Sequence, residues 1–133
     1  MGRAILLVAA LTAAGCLNPN APTDVRLATP FELAAGRTAE LPDGLRLTFD
    51  RVSADSRCPM DALCVTAGDA TVVLNVFRSG ERPVPIVLHS AGNGSEIDFA
   101  NHHITLTALA PYPRASQPIL ADQYVVTLVV TTR

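Results

Sequence analysis

From Thr29 to Arg133 apolar side chains return at every second position, and helical spacing is hard to find. A period of two is the signature of a strand with one buried face, because successive side chains point to opposite sides. Over residues 45–49, Leu45, Leu47 and Phe49 alternate with Arg46 and Thr48, so the three apolar residues are expected in a core. Residues 70–77 are apolar on both faces, with Val72, Leu74 and Val76 on one and Val73 and Phe77 on the other, which predicts a central strand. Val84, Ile86 and Leu88 define a strand that Pro83 and Pro85 push to a sheet edge, since proline cannot donate to a ladder. Ile104, Leu106 and Ala108 form a fourth run. Tyr124, Val126, Leu128 and Val130, set against Val125, Thr127 and Val129, predict a second central strand.

Turn residues punctuate these runs: Pro42-Asp43-Gly44, Ser79-Gly80 and Gly92-Asn93-Gly94, each read as a hairpin. The expected fold is all-β, a single antiparallel β-sandwich over residues 29–133, immunoglobulin-like with about 7–8 strands. A small β-barrel is the alternative.

The N-terminus is of another kind. Arg3 and the Met1 amine precede an apolar stretch from Ala4 to Ala14. At about 11 residues the stretch is too short to span a bilayer, which takes roughly 20. Small residues then lead to Cys16, and the order of charge, apolar run and small residues is that of an export signal. The segment Leu11 to Cys16 resembles the lipobox of bacterial lipoproteins, with Ala13 where that pattern usually has leucine. The resemblance implies that residues 1–15 are removed and that Cys16, lipidated, becomes the new N-terminus. An ordinary secretory signal, leaving Cys16 as a free thiol, is the competing reading. Residues 16–28 are expected to be a tether, since Pro19 and Pro22 favour extended backbone without internal hydrogen bonds.

Three cysteines in an exported chain leave one to be explained, and lipidation of Cys16 explains it. Cys58 and Cys64 then form a pair that an oxidising compartment can close into a ring. So short a loop gains about 2 kcal/mol in the chain-entropy account, a local reinforcement. A redox-active thiol pair is the other reading, although such motifs favour the closer Cys-x-x-Cys spacing.

Two irregular stretches interrupt the strands, residues 54–69 and 110–121. The first contains Asp55, Ser56, Arg57, Cys58 and Pro59, then Cys64, then Ala67 and Gly68. It resembles a family of small, uncharacterised bacterial lipoproteins that share an Asp-Ser-Arg-Cys-Pro segment, a second cysteine a few residues on, and Ala-Gly ahead of a strand. Thr66 stands where that family usually has tryptophan. The resemblance implies a β domain on a lipid anchor and carries no established activity. Two roles are open to the motif. Asp55 and Arg57 either pair to hold the loop between its strands, or a stiff bridged loop presents Arg57, Met60 and Leu63 as a recognition patch.

Other chemistry is poorly provided for. Without residues 1–15 the formal charge moves from −2 to −3, nine scattered arginines against twelve acids, which gives nucleic acid no basic surface to bind. Asp55, Asp61 and Asp69 match no calcium-loop spacing. Adjacent His102 and His103 would face opposite sides of a strand, leaving His89 to meet one of them across strands. No nucleophile elbow or P-loop occurs. The expectation is a cell-envelope lipoprotein without cofactor or bound metal, not an enzyme, held to a membrane by its lipid. In a Gram-negative cell this would be the periplasmic side of the outer membrane. It would bind an envelope protein through the bridged loop. A protease-inhibitor-like module in the periplasm or outside the cell, and a small enzyme or metal carrier, are the alternatives.

Overall fold

The computed structural model describes residues 18–133; the signal segment and Cys16 lie outside the described residues. Nine strands form two sheets. β1 (Thr23–Asp24), β3 (Thr38–Glu40), β4 (Leu45–Asp55), β5 (Ala70–Arg78) and β6 (Val84–His89) lie in that order in one sheet. The other runs β2 (Phe31–Ala34), β9 (Val125–Thr132), β8 (His102–Ala110), β7 (Glu96–Phe99). The two sheets do not close into a barrel, so the sandwich is the architecture. Within each sheet most neighbours are consecutive in the chain, β3 to β6 and β7 to β9, unlike the interleaved strand order of immunoglobulin domains.

The alternation predicts the core well. Leu45, Leu47 and Phe49 of β4, Val72, Leu74 and Val76 of β5, and Leu88 of β6 have no solvent exposure. They cluster with Leu33, Ile104, Leu106, Val126, Leu128 and Val130 of the second sheet. β5 and β9 are flanked on both sides, as their two-faced apolar composition requires, and β6 with its prolines is an edge.

Three expectations are corrected. Gly92–Gly94 is not a hairpin: it is a short 3₁₀ turn carrying the chain from β6 in one sheet to β7 in the other. Ala108 does not continue the buried phase of β8, because a bulge between Leu106 and Ala108 shifts the register and turns Leu109 inward instead. β4 runs to Asp55, past the expected loop boundary at Ala54, with two register shifts in its second half that let the strand curve. In addition, the second half of the expected tether is docked: β1 pairs with β3, and Val25 enters the core.

Candidate functional site

β4 runs toward the Cys58 loop, and its last residue, Asp55, pairs with Ala70 at the start of β5. β8 ends beside β9 at Ala110, paired with Val125, and the loop that follows holds Tyr112 and Arg114. Both long loops therefore meet at one end of the sandwich, joined by Met60 N–H donating to the Pro113 carbonyl (3.0 Å).

At this junction Arg57 is buried and fully engaged. Its Nε and Nη2 donate to the two carboxylate oxygens of Asp55 (2.9 and 2.7 Å), a bidentate pair. Nη1 donates to the Leu109 carbonyl (2.7 Å) and Nη2 also to that of Pro111 (3.0 Å). The guanidinium lies 5.0 Å from the centre of the Tyr112 ring. Asp55 accepts in turn from the Tyr124 hydroxyl (3.0 Å). One charged pair thus ties the end of β4 to the end of β8, the loop beyond it and the start of β9. Burial pushes the Asp55 carboxyl up, but hydrogen bonds from the Arg57 side chain and backbone N–H and from Tyr124 outweigh it and hold it below its ordinary 3.8.

The placement divides the expected binding residues. Asp55 and Arg57 form a structural clamp, and Arg57, with 7 % of its surface exposed, is not available for recognition. Met60 and Leu63 are exposed, as is Val65, which sequence reasoning left out. Leu63 and Val65 are as open as in an extended peptide, at 105 % and 104 %. Tyr112 was likewise missed as a site residue; it is half exposed on the neighbouring loop. Thr66 is also at the surface, so a larger side chain there would reach solvent and not the core.

Cys58 and Cys64 form a disulfide, closing a ring six residues in sequence separation. Cys58 N–H donates to the Ala67 carbonyl (2.8 Å) and Ser56 N–H to that of Asp69 (2.7 Å), so the ring stands on a short ladder. The backbone closes most tightly at Gly68, in the left-handed region at φ +71, pressed against the backbone of Ser56. Asp61, the ring's one charged residue, accepts from Ala115 N–H (2.8 Å). A hollow of about 300 Å³ beside the ring is bounded by Gly68, Ser90, Leu109 and Tyr112.

The other candidates resolve into separate local contacts. Asp69 sits between His89 (Nδ1 to Oδ2, 2.6 Å) and Ser90 (Oγ to Oδ1, 3.1 Å). The serine thus faces a carboxylate, and the serine-to-imidazole bond of a nucleophilic triad is missing from this trio. His102 points into the interior, with Nε2 2.9 Å from Asp43 Oδ2 but without a well-directed hydrogen bond at either ring nitrogen. His103 faces outward, bonded to Asp98 (2.7 Å) and Glu96 (3.3 Å). Asp55, Asp61 and Asp69 each have different partners. Among the described residues no three His, Cys, Asp or Glu side chains are grouped to hold a metal ion.

Comparison of the chain with protein-family models, with curated proteins and with solved structures gave no match.

Proposed function

We propose that the protein is a lipid-anchored domain of the bacterial cell envelope, a non-enzymatic interaction module whose contact surface is the bridged ring. The observation that carries this reading is the ring and the residue after it: Met60 and Leu63 on the disulfide-closed loop and Val65 just past Cys64 are held outward, and the base of the loop is clamped by Asp55 and Arg57. Apolar groups so exposed have an incentive to leave water, and a ring that is already ordered loses little entropy on contact. The anchor rests on Cys16 and the segment before it.

Metabolic labelling tests the anchor. In a bacterial host fed radioactive palmitate, the wild-type chain is expected to take up label and Cys16→Ala to take up none. Equal labelling of the two, or no labelling of either, would overturn the reading.

A further inference from the structure

The ring lies at the end of the sandwich by which the chain enters the domain. β4 runs toward the ring, β3 is antiparallel to β4, and β1 is parallel to β3, so β1 leads away from the ring end, preceded by a turn that Ala21 N–H closes on the Asn18 carbonyl (3.1 Å). Hydrogen bonds trace the same path. The Arg37 guanidinium donates to the Pro19 carbonyl, Ala35 N–H to the Tyr124 carbonyl (3.0 Å), and the Tyr124 hydroxyl to Asp55 at the base of the ring (3.0 Å). From Pro19 back to Cys16 is three residues, which extended chain spans in about 10 Å. An acylated Cys16 would therefore bring the Pro19–Arg37 contact within about 10 Å of chain from the bilayer.

What that end exposes suits the boundary between headgroups and acyl chains. Met60, Leu63 and Val65 supply the apolar tip, and Asp61, the ring's single charge, is bonded to Ala115 N–H. Tyr112, half exposed and with one polar atom, and exposed Arg114 flank the tip, the residue types that settle at headgroup level. From these placements we infer that the Cys58–Cys64 ring and the adjoining Val65 are a second membrane contact, with Leu63 and Val65 entering the outer part of the leaflet that carries the lipid. Acyl chains on one residue leave the domain free to swivel about that point, and a second apolar contact would fix its orientation. This inference rests on the reading of Cys16 as the anchor, and deepens it by naming lipid as the ring's partner.

The chain contains no tryptophan, so one introduced residue reports its own position. Leu63→Trp and Val65→Trp change fully exposed side chains, and Glu81→Trp places the same probe on the β5–β6 turn at the opposite end. Each full-length variant is purified from membranes, its acylation checked by mass, and reconstituted into phosphatidylethanolamine–phosphatidylglycerol vesicles with or without chain-brominated lipid. The expected result is blue-shifted emission at positions 63 and 65, lost on adding brominated lipid, with water-like, unquenched emission at 81. Acylated protein in which 63 and 65 are quenched no more than 81 would overturn the inference and leave the anchor standing. A blue shift that brominated lipid does not quench would also overturn it, assigning the tip to a protein or to a second copy of the chain. Absence of acylation would overturn both readings.

Discussion

Replacing Arg57 by alanine is expected to lower the melting temperature by roughly 10–15 °C, from a loss of about 3 kcal/mol. The change strands a carboxylate that is nearly as buried as its partner: the Asp55 side chain is 11 % exposed. It also removes the donors to the Leu109 and Pro111 carbonyls. An orphaned buried charge costs more than the pair contributes, so Asp55→Asn combined with Arg57→Ala should be less destabilised than Arg57→Ala alone. Acid gives a second signature. The folded-state pKa of Asp55 is depressed, so its stabilisation is fully present above the unfolded value of 3.8 and is lost as pH falls through the lower folded value. The deficit of Arg57→Ala relative to wild type should thus be largest at neutral pH and narrow below about pH 4. Urea midpoints at pH 7 and pH 3 measure both effects. A neutral-pH midpoint unchanged by Arg57→Ala would show that the clamp contributes nothing.

Gly68→Ala is the second large effect, with an expected cost of about 3 kcal/mol or more. At φ +71 any side chain is strained. A Cβ would moreover overlap the Ser56 carbonyl oxygen and lie 2.6 Å from its carbon, both backbone atoms that cannot rotate away. The loop could accept alanine only by separating Ser56 from Asp69 and the ring from its base. Gly36 is the control: its φ is +77 but no atom stands within 4 Å of an added Cβ. Gly36→Ala should cost only about 1 kcal/mol, the backbone penalty alone. Thermal denaturation of the two variants side by side separates strain from collision, and equal losses would count against the tight packing at Gly68.

The core strands were legible because their apolar side chains keep a strict period and so fall on one face. Leu45, Leu47 and Phe49 needed no further information. The period fails where a bulge inserts a residue, which is why Ala108 was assigned a buried phase that belongs to Leu109. β7 was hidden for another reason. Its hairpin to β8 turns on Ala100 and Asn101, with Ala100 at φ 51, a left-handed position that carries no glycine to announce it. Gly92-Asn93-Gly94 misled in the opposite sense, since glycine marks a turn without saying whether the next strand stays in the same sheet. At the site, the pairing of Cys58 with Cys64 followed from cysteine parity and their nearness in sequence. The fate of Arg57 did not, because its carbonyl partners lie 52 and 54 residues away. Val65 and Tyr112 became candidates only once the fold placed the two loops at one end. An exposed apolar residue in a sequence reads like a core residue until its surroundings are known.

The intact, non-reduced mass of the protein extracted from bacterial membranes reports cleavage, acylation and the bridge together. The expected species begins at Cys16, heavier by its acyl groups and lighter by the two hydrogens lost in joining Cys58 to Cys64. An unlipidated mass with three free thiols would contradict both the anchor and the ring.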